Sequence, residues 1–207
     1  GNSNRPLAEA ICAALQVPLG RALVASYSDG ETRVRLDENV RGSDTFLIQS
    51  GAAPVDHHLV ELLLMLDALR RSSAQRVTVV IPYYPYARQE KKTAGREPVS
   101  ARLVANLLAA AGADRILTLD LHAPAIEGFF DMPVDHLRAA PILAAHVRRL
   151  GLENIVVGIV GALVGGFLYG LLTNSEWTNT FSLPTLLVAF LGSVVILFVY
   201  NAVKSRA

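Results

Sequence analysis

The sequence predicts an α/β fold built on a parallel sheet, followed by an α-helical transmembrane hairpin. Three observations carry that prediction. Short β-type apolar runs alternate with helical patterns through residues 1–153, which hold nearly all the charge. One of the strand-to-helix loops, residues 82–97 (PYYPYARQEKKTAGRE), is aromatic and strongly basic. Two long uncharged runs then follow, at 155–173 and 181–203.

The soluble part reads in order. Residues 7–15 are an amphipathic helix, and 22–26 and 32–36 are short strands around the turn Ser28-Asp29-Gly30. Residues 45–49 read as a buried strand and 58–71 as a helix with apolar residues nearly all round. Residues 77–81 are the next strand, followed by the basic loop and a helix over 100–111. Residues 115–121 (RILTLDL) are a further buried strand ending at His122, Val134 marks a short strand, and 141–150 a helix. Strands separated by helices of this length imply right-handed crossovers and a parallel sheet covered on both faces.

Each uncharged run is long enough for a bilayer core, which takes about 17–25 apolar residues. Gly161 with Gly165 and Gly166 with Gly170 give two Gly-x-x-x-Gly spacings, suited to close helix contact in lipid. The connector 174–180 is polar and carries Trp177. Arg148 and Arg149 precede the first run, Lys204 and Arg206 follow the second, and the connector holds only Glu176. The positive-inside rule therefore places both ends in the cytoplasm. This implies a cytoplasmic domain over 1–153, anchored in the inner membrane by 155–203. The polar opening GNSNRP does not read as a signal peptide. The single Cys12 excludes a disulfide within the chain and fits a reducing compartment. A net charge of +1 gives no footprint for nucleic acid.

Chemistry concentrates where strands end, since ligands of open parallel sheets bind at the strands' carboxyl edge. Between 88 and 96, Arg88, Gln89, Lys91, Lys92 and Arg96 are opposed only by Glu90. Arg offers a planar fork to two oxygens and Lys a mobile point charge, so the loop suits a polyphosphate. Asp120 and His122 close a strand at the same edge, where a neutral imidazole can meet a divalent metal or a phosphate oxygen. Tyr27-Ser28-Asp29-Gly30-Glu31 offers an aromatic face and two carboxylates around an ordinary turn. His57, His58, His136 and His146 have no ligand-like spacing and read as surface or packing residues.

The segments GNSNRPLAEAI, SYSDGETRVRLDENVRGSDTFLIQS, VELLLMLDALRRSSAQRVTVVIPYYPYARQEKKTAGREPVSARLVANLLAAAGADRILTLDLHAPAIEGFFDMPVDHL and VRRLGLENIVV closely resemble ribose-phosphate pyrophosphokinase. The resemblance runs from residue 1 to 157. It implies the phosphoribosyltransferase type of fold, here truncated. The implied reaction transfers the pyrophosphoryl group of MgATP to ribose 5-phosphate, in a homo-oligomer. On this resemblance Asp29, Gly30 and Glu31 bind the adenine end of ATP, reaching a neighbouring subunit's site. Arg88 and Gln89 contact ATP, and His122 is a ligand of Mg2+ or of the ATP phosphates. Tyr27 stands where the family usually has phenylalanine.

The family's first strand would precede Gly1, and after Val157 the family continues with a Ser-Pro-Asp metal-binding turn where this chain reads GIVGALVGGF. The loop with the catalytic lysine and the loop that grips ribose 5-phosphate have no counterpart in 158–207, so the resemblance implies the ATP half of a site without its acceptor half. Residues 158–207 instead resemble the last two spans of transglycosylase-associated small stress-response membrane proteins. The join falls inside an expected strand, 155–157, which reads as a chimera. Three functions follow: a synthase that needs partner subunits to supply the rest, a non-catalytic nucleotide-binding subunit of a synthase assembly, or a small membrane protein or misassembled fusion.

Overall fold

The structure is a computed structural model that describes residues 1–150 and, beyond them, Val194 alone. By its contacts the chain divides into two units, Gly1–Ala139 and Ala140–Ala207. The hairpin expected over 155–203 and the strand expected over 155–157 lie outside the described residues. Among the described residues no helix is long and apolar enough to cross a membrane.

In the first unit, helix α1 (Arg5–Leu15) begins where the Asn4 side chain accepts the Leu7 N–H, with Pro6 in the first turn. Strands β1 (Ala22–Ser26) and β2 (Thr32–Leu36) form an antiparallel hairpin, a two-stranded sheet of its own. Their bounds are those read from the sequence. Gly30 sits at φ +93° in the connecting turn, a conformation that a side chain resists.

The main sheet has four parallel strands in the order β3 (Asp44–Ile48), β4 (Arg76–Ile81), β5 (Arg115–Leu119) and β6 (Val134–Leu137). Helix α2 (Val55–Arg71) crosses from β3 to β4, and α3 (Ser100–Ala111) from β4 to β5. Asp56 in the first turn of α2 and Arg70 and Arg71 in its last complement the helix dipole. A six-residue 3-10 helix, Pro124–Phe129, lies between β5 and β6.

The core is built from the register. Leu47, Val79 and Ile116 stand side by side on adjacent strands and share one cluster with Leu66, Val104 and Leu108. Full burial of such side chains stabilises by ~1.5–3 kcal/mol each. Strand order follows chain order without a reversal, so right-handed crossovers put α2 and α3 on the same face of the sheet. On the opposite face Thr78 and Val80 of the central strand β4 are buried as well. At the edge strand and at the end of β5 the structure corrects the sequence reading. The other face includes Phe46 on the edge strand β3, 62% exposed, where a buried strand was expected. Strand β5 also stops at Leu119, two residues short of the apolar run, because Asp120 turns at φ +44°.

Helix α4 (Ala140–Arg149) belongs to the second unit. It has no buried residue, and Ile142, Leu143 and Val147 are exposed along it.

Candidate functional site

The loop after β4 begins with its aromatic residues anchored. Tyr84 is buried and donates its hydroxyl to the Ala101 carbonyl at 2.9 Å. Burial pushes its pKa upward, so it stays a phenol and a donor. Its ring meets Phe130 edge-on at 5.5 Å, which joins this loop to the one after β5. Gly51, just beyond β3, donates to the Tyr83 carbonyl at 2.8 Å. A Cβ there would lie 2.7 Å from the Pro85 nitrogen and the Tyr83 oxygen, so the backbones meet only because position 51 is glycine.

The basic part of the loop is tied at its ends. Gln89 receives the Ala101 N–H on its carbonyl at 3.3 Å and the Ser100 hydroxyl on its amide oxygen. Its own N–H goes to Tyr86 at 2.9 Å. Within the closed segment, the Glu97 carboxylate accepts the N–H groups of Thr93 (2.8 Å) and Ala94 (2.9 Å) and the Thr93 hydroxyl. These bonds, led by Ala94, hold the Glu97 carboxyl below the usual carboxylate range. Glu90 is held low too, first by its own backbone N–H, then by Lys91 and by the charge of His122.

The loop after β5 is held at its first two residues. The Asp120 N–H continues the ladder to Leu137 at 3.0 Å, and the Asp120 carboxylate accepts the Ala139 N–H at 3.2–3.3 Å. Leu121 is buried and donates its N–H to Nε2 of His136 at 2.9 Å. The other ring nitrogen of His136, Nδ1, bonds the Glu127 carboxylate. Arg138 lies 3.8 Å from the same carboxylate.

The two loops enclose a cleft of about 240 Å³, with Tyr83, Ala87 and Arg88 on one wall and Asp120, Leu121 and His122 on the other. Arg88 and His122 therefore meet at one edge of the sheet, as their positions after β4 and β5 predict. Gln89 is absent from the wall, its amide oxygen engaged by Ser100. Asp29, Gly30 and Glu31 are not in the cleft either: they form the hairpin turn, where Asp29 accepts the Glu31 N–H at 3.1 Å and Arg33 lies 5.7 Å over the Tyr27 ring. His58 is a packing residue facing the Ala52 carbonyl at 2.8 Å, and His57 lies 3.8 Å from the buried Glu61. His136 is the residue that spacing missed. Its signal is positional, since it pairs in register with Thr118 just before the β5 turn.

Among the described residues no three His, Cys, Asp or Glu side chains converge into a metal cage. The cleft offers one carboxylate and one imidazole, a set that fits a magnesium held largely by water and by substrate phosphates rather than by protein.

Residues 1–112 match the family described as the N-terminal domain of ribose phosphate pyrophosphokinase. The chain belongs to that family. It is 58% identical over 167 residues to the ribose-phosphate pyrophosphokinase of Agrobacterium fabrum, covering 80% of this chain and 53% of that protein. It is 54% identical over 156 residues to the one from Halalkalibacterium halodurans, covering 75% and 49%. A crystal structure of phosphoribosylpyrophosphate synthetase from Mycobacterium smegmatis superposes with a TM-score of 0.70 at 50% identity, over 71% of this chain and 49% of that one. The chain thus spans about half the length of the ribose-phosphate pyrophosphokinases it matches. A second match, to the family described as transglycosylase associated protein, covers residues 155–205. Two families therefore meet in one chain, as the sequence reading of a chimera expects.

Proposed function

We propose that residues 1–157 form the ATP-side half of a ribose-phosphate diphosphokinase site. Arg88 and His122 hold the phosphates of MgATP, Gln89 contacts ATP beside Arg88, and Asp29, Gly30 and Glu31 serve the adenine end of ATP in a neighbouring subunit's site. The observation that carries this reading is the cleft joining Arg88, Asp120 and His122 at the strands' carboxyl edge, in a chain whose relatives are named ribose-phosphate pyrophosphokinase. Asp120 and His122 would stand beside a magnesium carried by the nucleotide, and that ion would supply neutralisation of the charge that builds up in phosphoryl transfer. Homo-oligomerisation is part of this reading, since Asp29–Glu31 stand away from the cleft of their own chain and would serve a neighbouring subunit's site.

The 207-residue chain binds MgATP and does not make phosphoribosyl pyrophosphate. Residues 155–205 match a different family where the metal turn, the lysine loop and the sugar-phosphate loop would be needed. Such terms are worth several orders of magnitude in rate. Saturable MgATP binding without product is the expected result. Turnover above background, in material free of host synthase, would overturn the inactive reading, and no MgATP binding would overturn the ATP half.

A second reading is favoured by that same match at 155–205: a small integral membrane protein in which residues 155–203 form a hairpin with both chain ends cytoplasmic, the domain boundary falling at 157–158. The chain should then resist alkaline carbonate extraction and report a cytoplasmic residue 207. Recovery as a detergent-free monomer would exclude it.

A further inference from the structure

We propose that His136 is a positioning residue for the phosphate cleft, fixing the Asp120–Leu121 peptide, one residue before His122, through a single ring tautomer. The Asp120 turn, at φ +44°, swings the next peptide out of the sheet ladder. The Leu121 N–H is then a donor in a buried position with no strand to pair with. Nε2 of His136 accepts it at 2.9 Å. A neutral imidazole can accept at Nε2 only if its proton sits on Nδ1, and Nδ1 faces the Glu127 carboxylate, which accepts and cannot donate when ionised. Glu127 therefore selects the tautomer, and the tautomer selects the orientation of the Leu121 peptide. The ring has little freedom to do otherwise, its side chain being 5% exposed. The next residue is His122, on the cleft wall across from Arg88. The consequence for binding rests on the nucleotide reading above; the consequence for the Leu121 peptide does not.

The test uses the full chain and two readouts, hydrogen exchange at the Leu121 amide and affinity for MgATP. His136→Leu should remove the protection of Leu121 and weaken MgATP about tenfold, the lower end of what outer partners of a ligand are worth. His136→Gln, whose amide oxygen can reach the Nε2 position, should restore both. Glu127→Leu, at a half-exposed site, should free the tautomer and lower Leu121 protection in part. This variant decides the matter if His136→Leu does not fold. Arg88→Ala should weaken MgATP while leaving Leu121 exchange unchanged. Native Leu121 protection in His136→Leu, or in Glu127→Leu where the first variant is unfolded, overturns the proposal. So does full MgATP affinity in a variant whose Leu121 has lost protection. If the unmodified chain does not bind MgATP at all, the nucleotide reading fails while Leu121 exchange still decides on the tautomer lock.

Discussion

The loop after β4 and the loop after β5 line the same cleft, but their bonds run to different places. The first is tied at Gln89 and then closes on itself, Glu97 bonding Thr93 and Ala94 within the same loop. The second bonds outward at its first two residues, Asp120 to Leu137 and Ala139 and Leu121 to His136. One side of the cleft therefore continues, beyond Arg88, into a self-contained charged segment, and the other brings a backbone set by the sheet. A phosphate site gains from both, since a backbone set by the sheet gives direction and long basic side chains adapt to the ligand.

That difference can be broken most forcefully at Leu121. Leu121→Ala empties a buried position in the β5 loop and should destabilise the fold by ~2–5 kcal/mol, read from denaturant midpoints. A loss under 1 kcal/mol would mean the sheet does not set this loop. Arg88→Ala, on the other wall, should leave the midpoint in place and weaken MgATP by about 1.5–3 kcal/mol in titration calorimetry, the worth of a charged hydrogen bond. Gln89→Ala should cost about 0.5–1.5 kcal/mol by opening the tie to Ser100, with the loss visible as faster amide exchange at Ala101.

The smallest effect belongs to Glu97. Its carboxyl is held below the ordinary range in the folded chain, so the bonds to Thr93 and Ala94 are fully present above the unfolded-state pKa of a glutamate. They are lost as pH falls through the lowered folded value. Amide exchange at Ala94 should rise through that acidic window, and Glu97→Gln should remove the pH dependence with the global midpoint unchanged. A matching shift at Leu121 would show that the two walls are coupled.

The sequence revealed one wall better than the other. Arg88 announces itself within a run of charge, and the β4–loop–α3 order places it at the ligand edge. The bounds of β1, β2 and α3 were legible because turn residues and apolar periodicity agreed there. What stayed hidden depends on contacts between distant positions. The pairing of His136 with the Leu121 peptide crosses fifteen residues and exists only because β5 and β6 are neighbours. The left-handed turn at Asp120 cut short an apolar run that by pattern alone continues to Leu121. Phe46 read as core by type, but its side of the sheet is decided by crossover hand and strand order, which no local pattern records.

The Gln89 tie has a consequence for how this surface can change. Residues 90–99 leave and return at one clasped point, so their length is decoupled from the spacing of β4 and α3. Closing a flexible loop twice as long costs only ~0.6 kcal/mol more. Insertions, tags or a protease site placed between Lys92 and Arg96 should leave the sheet and its edge intact. The segment is a natural graft position, where the reach of the basic side chains can be lengthened or shortened without altering the wall that holds His122.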